Sequence, residues 1–239
     1  MTAKKINISV IHAAAGKSTR FAQRRKKIFS PLCGKPVWLH SVERFASFQE
    51  VTQQIVVVAP EDRVFFLSEY AEAIREYHLE IADGGTERFE SSENGLRRVS
   101  QDADFTAVHD AARPCVSREL VRRVFDAAVQ YGAAVPASPI VGTLKRSNAE
   151  HQIQETVSRG ALWEAQTPQV FRHDWILEGF ARRDDSPVTD DAQLLEKIGR
   201  PVHIVASNRY NIKITTQDDL VLAELILNLE KTQHENRIF

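Results

Sequence analysis

A near-continuous apolar run, QIVVVAP at residues 54–60, constrains the fold more than any other stretch of this sequence. Strands that are buried on both faces have this composition, and they occur in parallel sheets that helices cover on both sides. The closing proline has no backbone N–H to donate, so it marks the end of the strand. The run therefore predicts an α/β protein.

Strand and helix patterns alternate on both sides of this run. Further strand patterns occur at residues 6–11, 79–83, 105–110, 133–139 and 203–207. Helical spacing of apolar residues occurs at 62–77, 90–101, 117–132 and 215–231. Ser117 and Gly132 are suited to cap the third helix, and Thr216 with Asp219 forms a possible capping box on the fourth. The alternation predicts a Rossmann-like, twisted, mostly parallel sheet with helices on both faces, in one domain over residues 1–239.

Composition excludes several classes of protein. The 239 residues are 43% hydrophobic with a formal net charge of −1, so we expect no nucleic-acid partner. No apolar run is long enough to cross a bilayer and no signal-peptide pattern opens the sequence, so we expect no membrane partner and a cytoplasmic location. Cys33 and Cys115 are too few for a disulfide framework and lack metal-ligand spacing.

Positive charge is concentrated near the start of the chain. The lysines and arginines that precede the first acidic residue, Glu43, are Lys4, Lys5, Lys17, Arg20, Arg24, Arg25, Lys26, Lys27 and Lys35. A basic block inside a near-neutral chain favours a local anion site over a wide binding face. A solvated charge run is the alternative interpretation of residues 24–27.

The stretch IHAAAGKSTRF at residues 11–21 joins small residues at a strand end to this basic block. Two other strand patterns end at Gly84–Gly85 and at His109–Asp110. Ligands bind outside the carboxyl ends of parallel strands, so these loops predict a pocket with small walls, a carboxylate and cations. The glycine spacing matches neither a P-loop nor a dinucleotide fingerprint, and a simple tight turn is the alternative for residues 13–16.

Several side chains near these loops also have structural interpretations. Asp110 is suited to cap the following loop, and Cys115 is expected to be buried. His109 is expected to be structural, because neighbours on a strand point to opposite faces and it cannot form a dyad with Asp110. Trp38 and Trp163 are expected in the core.

A set of stretches carries a resemblance to a known family: AAAGKSTRF, GGTERFESSENGL, VHDAARP, GTLKR, LWEAQTPQVF, TDDAQLLEKIG and NIKITTQDDLVLAE. From residue 6 to about 229, the chain resembles the 2-C-methyl-D-erythritol 4-phosphate cytidylyltransferases of the non-mevalonate route to isoprenoids. HDAARP and TPQxF are far more specific than any single glycine. The resemblance implies a nucleotidyltransferase domain, CTP and a polyol phosphate as substrates, Mg²⁺ as cofactor, pyrophosphate release, and a homodimer.

The resemblance also implies roles for individual residues. The catalytic residues that match the family are Arg20, Lys27 and Lys213. The nucleotide-binding residues are Ala13, Ala14, Ala15, Gly16, Gly84, Gly85, Ser91 and Asp110, and Asp110 is also the metal residue. The acceptor-binding residues are Arg113, Thr143, Arg159, Thr167 and Thr189.

An arm over residues 139–163 is implied to cross to a partner subunit and to bring Thr143 and Arg159 to its active site. The alternative is a plain surface hairpin with a solvated Arg159. Thr189 with Asp190 is equally suited to cap a helix. Where the family has Pro-Lys-Gln, this chain has Lys26, Lys27 and Ile28, and we expect residues 24–28 to be mobile until CTP binds.

The implied reaction is attack of a sugar-phosphate oxygen on the α-phosphorus of CTP. Three other functions compete with it: a ribitol 5-phosphate cytidylyltransferase, an inactive nucleotide-binding scaffold, and a basic-loop RNA-binding protein. Retention of Arg20, Lys27, Asp110 and Lys213 counts against the scaffold. The near-neutral charge counts against RNA binding.

Overall fold

The strand built from the apolar run is paired on both sides, as its composition predicts. The computed structural model describes residues 5–16, 26–184, 186 and 188–235 of the chain. Its strands are β1 (Ile8–Ala13), β2 (Pro31–Leu32), β3 (Lys35–Pro36), β4 (Val51–Val58), β5 (Glu80–Asp83), β6 (Phe105–Asp110), β7 (Ala133–Pro139), β8 (Leu144–Ser147), β9 (Ile153–Val157), β10 (Trp163–Ala165), β11 (Gln169–Arg172) and β12 (His203–Ala206).

Helices follow most of the long strands. They are α1 (Val37–Ala46), α2 (Arg63–Glu69), α3 (Ala71–Glu76), α4 (Arg88–Leu96), α5 (Arg118–Tyr131), α6 (His173–Ala181), α7 (Ala192–Lys197) and α8 (Gln217–Glu235), with 3₁₀ turns at Lys27–Phe29 and Pro60–Asp62. None of the helices in the described part of the chain combines the length and the apolar composition that crossing a membrane requires.

The helix predicted over residues 62–77 is interrupted, and that prediction was wrong at Tyr70. This residue leaves the helical conformation, with φ −112° and ψ 23°. Its ring packs against Trp38 and Phe66 at centroid distances of 5.2 and 5.3 Å. Aromatic packing under the sheet therefore accompanies a bend that divides the predicted helix into α2 and α3.

The main sheet has the order β5-β4-β1-β6-β11-β7, and β10 and β12 also pair with β7. The pairs β1–β4, β1–β6, β4–β5 and β7–β12 are parallel. β11 is antiparallel to both β6 and β7, and β10 is antiparallel to β7. The prediction of a mostly parallel sheet is confirmed.

Alternate residues of β1 face two different cores. Ile8 and Val10 belong to a cluster with Val121 and Phe125 of α5, whereas Ile11 belongs to a cluster with Leu96 of α4. Successive side chains of a strand point to opposite faces, so helices must cover both sides of the sheet. This arrangement confirms the predicted layers.

The sequence also predicts how α5 begins and ends. The Ser117 hydroxyl accepts a hydrogen bond from the backbone N–H of Leu120 at 3.1 Å. Gly132 closes the helix with φ +90°, a conformation that residues with a Cβ rarely adopt. Both predicted caps are confirmed.

The order of strands reverses at β1. From β1 the chain builds β4 and then β5 on one side, and it returns to place β6 on the other side. Ala13 at the end of β1 pairs in register with Asp110 at the end of β6. A crevice outside the carboxyl ends of the strands is expected at such a switch point, and ligands of α/β sheets bind there.

Candidate active site

Asp110 lies at this switch point and is surrounded by positive charge. The Lys213 ammonium is 2.6 Å from its Oδ2. The Arg113 Nε lies 3.8 Å from Oδ2, and the Arg88 Nη2 lies 3.9 Å from Oδ1. Arg88, Arg113 and Lys213, which flank Asp110, form what we call the cationic cluster.

The cluster determines the charge of Asp110. The side chain is almost completely buried, and burial alone would raise its pKa. The attraction of Lys213, Arg88 and Arg113 outweighs that effect and holds the pKa of Asp110 well below its usual range. Asp110 is therefore an anion throughout the neutral pH range.

Two sequence motifs meet to position Lys213. The Asn211 side chain donates hydrogen bonds of 3.0 Å to Gln166 Oε1 and to the carbonyl of Thr167. The Arg113 Nη1 donates to the carbonyl of Asn211 at 2.8 Å. These bonds tie the NIK segment to the TPQ segment, so Lys213, two residues after Asn211, is held beside Asp110.

Thr167 and the turn after β6 fix the main chain around Asp110. The backbone N–H of Asp110 donates to Thr167 Oγ1 at 3.0 Å. The backbone N–H of Arg113 donates to the Asp110 carbonyl at 2.9 Å, which closes a turn. The structure thus brings Asp110, Arg113, Thr167 and Lys213 together, as the family resemblance implies.

The glycine loop after β5 lies against the loop after β1. A Cβ added to Gly84 would lie 2.3 Å from the Ala15 Cβ and 3.1 Å from Ser91 Oγ. The Ser91 hydroxyl accepts a hydrogen bond from the backbone N–H of Gly85 at 3.1 Å. Ala15, Gly84, Gly85 and Ser91 therefore form one wall without room for larger side chains.

Arg88 and Asp191 are site residues that the sequence reasoning missed. The Arg88 Nη2 lies 2.9 Å from Oδ2 of Asp191, whose side chain is fully buried. Burial lowers the pKa of Arg88, but the charges of Asp191 and Asp110 outweigh it and raise the pKa overall. Both residues lie in stretches quoted for the resemblance, GGTERF and TDDA, and that placement is the signal that points to them.

The acceptor residues of the arm do not join the cluster within this chain. Thr143 and Arg159 are exposed, and Arg159 Nη1 donates to the carbonyl of Val141. The strands β8 and β9 between them pair only with each other among the described strands. The hairpin is present, while its predicted crossing to a partner stays a prediction.

Thr189 lies three residues before the first residue of α7, Ala192, and is exposed. Its backbone N–H donates to Gln193 Oε1 at 3.0 Å, and the backbone N–H of Gln193 donates to Asp190 Oδ1 at 3.2 Å. These reciprocal bonds fit the helix-capping alternative. A contact of Thr189 with the acceptor stays a prediction.

The basic block is described only in part. Arg20 lies outside the described residues, as do Arg24 and Arg25. Lys27 begins the first 3₁₀ turn and is half-buried. Its catalytic role, like the nucleotide-binding roles of Ala13, Ala14 and Gly16, stays a prediction.

Four structural interpretations have clear outcomes. Trp38 is fully buried, as expected, but Trp163 is 40% exposed on β10, so placing it in the core was wrong. Trp163 begins β10 where the arm returns to the sheet, and it pairs with Pro139. Cys115 is buried, and burial raises the pKa of its thiol to about 12. His109 is fully buried, and burial lowers its pKa to about 3.

The residues present fit Mg²⁺ that arrives with a nucleotide. In phosphate-transferring sites Mg²⁺ takes one or two carboxylates and otherwise phosphate oxygens and water. Asp110 supplies a carboxylate at the strand end. The described residues contain no group of three or more His, Cys, Asp or Glu placed to hold a metal ion alone. The donor set therefore suits a metal that is shared with a triphosphate.

Two surface cavities are lined by residues outside the cationic cluster. One of about 550 Å³ lies between α5 and α8 and is lined by Cys115, Arg123 and Tyr210. The other, of about 670 Å³, is lined by His40, Arg118 and Lys231. Neither cavity is lined by Asp110 or Lys213. Neither cavity is therefore the site that the charged side chains and the strand order indicate.

Comparison with known proteins agrees with the geometry. The chain matches the family of 2-C-methyl-D-erythritol 4-phosphate cytidylyltransferases over residues 8–229. The cytidylyltransferase of Endomicrobium trichonymphae is 42% identical over 220 residues, covering 92% of this chain and 98% of that protein. The chloroplastic enzyme of Oryza sativa subsp. japonica is 36% identical over 227 residues, covering 94% and 76%.

Solved structures show the same similarity. The cytidylyltransferase of Thermus thermophilus superposes with a TM-score of 0.76 at 32% identity, over 93% of this chain and 100% of that one. The 4-diphosphocytidyl-2C-methyl-D-erythritol synthase of Anaerococcus prevotii gives a TM-score of 0.79 at 26% identity, over 94% and 97%. The chain therefore belongs to the 2-C-methyl-D-erythritol 4-phosphate cytidylyltransferase family.

Proposed function

We propose that this enzyme transfers CMP from CTP to 2-C-methyl-D-erythritol 4-phosphate, giving 4-diphosphocytidyl-2-C-methyl-D-erythritol and pyrophosphate. The observation that carries the proposal is the cationic cluster around Asp110 at the switch point of the sheet. The family to which the chain belongs is named for this reaction.

The cluster is suited to a reaction between two anions. The attacking phosphate oxygen is already ionised at neutral pH, so the site needs no strong base. It needs cations that reduce repulsion and hold the two reactants in line. Lys213 and Arg113 are proposed to bind the incoming acceptor phosphate, and Arg20 and Lys27 are proposed to grip the triphosphate.

The wall of small residues is suited to the nucleotide. Gly84 has no side chain and Ala15 has only a methyl group, so a flat base or ribose can approach the main chain of these two loops closely. Ser91 holds the Gly85 loop in place through its hydroxyl. These contacts orient CTP without contributing charge.

Asp110 is the residue proposed to hold Mg²⁺ together with the triphosphate. When bound, the ion neutralises phosphate charge and favours the in-line arrangement. Lys213, which pairs with Asp110 in this structure, would bind the substrate phosphates beside it.

The arm is proposed to complete the site of a partner in a homodimer. It exposes apolar side chains, with Val141 56%, Ile153 66% and Trp163 40% exposed. Several exposed apolar side chains on one short segment favour an interaction surface. Thr143 and Arg159 are presented on the same arm, which supports their predicted contact with the acceptor of the neighbouring chain. The predicted cytoplasmic location remains a prediction.

The test is turnover with two acceptors. Purified enzyme is incubated with CTP, Mg²⁺ and either 2-C-methyl-D-erythritol 4-phosphate or ribitol 5-phosphate, and pyrophosphate is measured. We expect release with the first acceptor at a kcat/KM well above that with the second. Equal or better turnover with ribitol 5-phosphate would assign the chain to that activity. No release with either acceptor from folded protein would favour the nucleotide-binding scaffold.

A further inference from the structure

A buried histidine joins the two segments that position Asp110. His109 precedes Asp110 on β6, and its side chain is fully buried. Its Nδ1 is 3.1 Å from Thr167 Oγ1, and its Nε2 is 3.2 Å from the carbonyl oxygen of Arg113. One ring therefore connects the TPQ segment with the turn that carries Asp110 and Arg113.

The partners fix where each proton lies. The Arg113 carbonyl can only accept, so the proton of the neutral ring is on Nε2. The Thr167 Oγ1 already accepts from the backbone N–H of Asp110, so its own hydrogen is free to be donated to His109 Nδ1. The bonds run in one direction, from Asp110 N–H through Thr167 O–H to His109, and from His109 to Arg113.

From this arrangement we infer that His109 is a positioning residue for cytidylyl transfer: in its Nε2–H tautomer it locks Thr167 and the Asp110–Arg113 turn into one unit. The inference deepens the proposed function and rests on it. The two hydrogen bonds of His109 go to Thr167 and Arg113 and not to the Asp110 carboxylate. It acts through the main chain of Asp110 and Arg113, whose side chains lie 3.8 Å apart in the cluster.

The two bonds of His109 differ in how replaceable they are. The Arg113 carbonyl also accepts from the Ser41 hydroxyl at 3.5 Å, so it keeps one partner if His109 is lost. The Thr167 hydroxyl has His109 as its acceptor, and a buried donor without an acceptor is costly. Loss of the Thr167 bond is therefore expected to disturb the site more.

The neighbouring strand offers a matched control. His12 lies opposite His109 in register, is equally buried, and its ring centroid is 6.3 Å from that of His109. Its Nε2 bonds to Gln54 Oε1 at 2.9 Å, and Gln54 lies on β4, away from the Asp110 turn. Changing His12 removes a buried imidazole without cutting the connection between Thr167 and Arg113.

The experiment compares His109→Asn, His109→Gln and His109→Phe with His12→Phe. The Asn amide oxygen takes the place of Nδ1 and keeps the Thr167 bond, whereas the Gln amide nitrogen takes the place of Nε2 and keeps the Arg113 bond. We expect kcat/KM to fall about 10- to 100-fold in His109→Phe. We expect a smaller loss, about 3- to 10-fold, in His109→Gln, with His109→Asn closest to wild type.

The loss is expected in kcat more than in the KM for CTP, because His109 bonds to Thr167 and Arg113, which are proposed to bind the acceptor. His12→Phe is expected to keep kcat within a factor of about two, whatever its effect on stability. Equal losses of kcat in His12→Phe and His109→Phe, or a wild-type kcat in folded His109→Phe, would overturn the inference.

A second measurement does not depend on turnover. In ¹⁵N-histidine-labelled enzyme, the His109 resonances, identified by their loss in His109→Gln, should show a protonated Nε2 and a bare Nδ1. The opposite tautomer would overturn the inference even if the enzyme is active. If the wild-type enzyme shows this tautomer but no transfer to either acceptor, the proposed function fails and the hydrogen-bond arrangement stands.

Discussion

Two adjacent lysines, Lys26 and Lys27, lie at the start of the first 3₁₀ turn. The Lys26 ammonium is 2.7 Å from both Glu61 and Asp62. Burial lowers its pKa, but the hydrogen bonds and charges of these carboxylates outweigh that and raise it overall. The positive charge of Lys26 is thus balanced by two carboxylates of the same chain. The family resemblance implies that Lys27 is catalytic, and the pair of lysines offers a test with a built-in control.

Lys27→Ala is expected to lower kcat by about 10²- to 10³-fold, because it removes a preorganised charge from the developing transition state. Steady-state kinetics with both substrates measure the effect. Lys26→Ala, which removes an equal charge next to it, is expected to leave kcat within a few-fold of wild type. A Lys27→Ala enzyme with normal kcat and only a raised KM would show that Lys27 merely binds the nucleotide.

Asp110 makes stability depend on pH in a definite direction. Its pKa in the folded protein is held well below its usual range, so the unfolded chain takes up the proton first on acidification. The stabilisation is therefore present above about pH 4, the ordinary aspartate pKa, and is lost as the pH falls toward the folded pKa.

Asp110→Asn is expected to reduce the free energy of unfolding by about 1–3 kcal/mol at pH 7, because three cations lose their shared partner. Urea denaturation at pH 7, 5, 4 and 3 measures the difference from wild type. That difference should be constant down to about pH 4 and shrink below it. The exposed Asp126→Asn is the control, expected within about 0.5 kcal/mol of wild type. If the difference in free energy of unfolding between wild type and Asp110→Asn grew on acidification, the assignment of a negative charge to Asp110 would be wrong.

At the scale of elements, the contact between the loops after β1 and β5 leaves no room for a side chain at Gly84. A methyl group there would collide with the Ala15 Cβ, so Gly84→Ala must push the two loops apart. We expect a loss of about 1–3 kcal/mol in stability and a raised KM for CTP. Gly142→Ala is the stability control, since a Cβ added to Gly142 meets nothing within 4 Å. An unchanged KM for CTP in Gly84→Ala would exclude this wall from nucleotide binding.

The elements show which features the sequence can predict. The bounds of β6 and β7 match the predicted strands, because their apolar runs end at sharp signals. The Thr216–Asp219 capping box is confirmed by bonds in both directions, 2.8 Å from Thr216 N to Asp219 Oδ2 and 3.4 Å from Asp219 N to Thr216 Oγ1. Local chemistry decides all of these features.

Features that depend on distant contacts could not be predicted from the residues alone. The break at Tyr70 accompanies packing against Trp38, and the pairing of Arg88 with Asp191 joins parts of the chain that are far apart in sequence. The meeting of Lys213 with Asp110 was expected only through the family resemblance. The spacing of apolar residues predicts helices and strands, whereas the long-range ion pairs of the site depend on how the chain folds.

At the scale of the whole molecule, a shared active site predicts complementation between two inactive variants. In a mixed dimer of Arg159→Ala and Lys27→Ala chains, one site has Lys27 from the first chain and Arg159 from the second, so it is intact. The other site lacks both. Random mixing should restore about one quarter of wild-type activity per chain, measured as pyrophosphate release from the mixture once chain exchange is complete.

The control for complementation uses another arginine of the same hairpin. Arg146 pairs with Glu155 at 2.5 Å, so Arg146→Ala should remain active by itself. Arg159→Ala alone should raise the KM for the acceptor far more than that for CTP. If mixed dimers form and stay inactive, Arg159 does not serve the neighbouring site. If the protein is monomeric and active, the arm does not cross at all.

The arm leaves the sheet at Pro139 and returns at Trp163, and these two residues pair with each other. Since exit and return are neighbours, everything between them is an insertion that the sheet does not need in order to close. Lengthening such an insertion is cheap, at about 0.6 kcal/mol for each doubling of loop length. The proposed self-association through the arm can therefore change in evolution separately from the phosphate chemistry. Thr143 and Arg159 are proposed to lie both at the contact with the partner subunit and at its acceptor. A substitution at either residue would therefore affect subunit association and acceptor binding together.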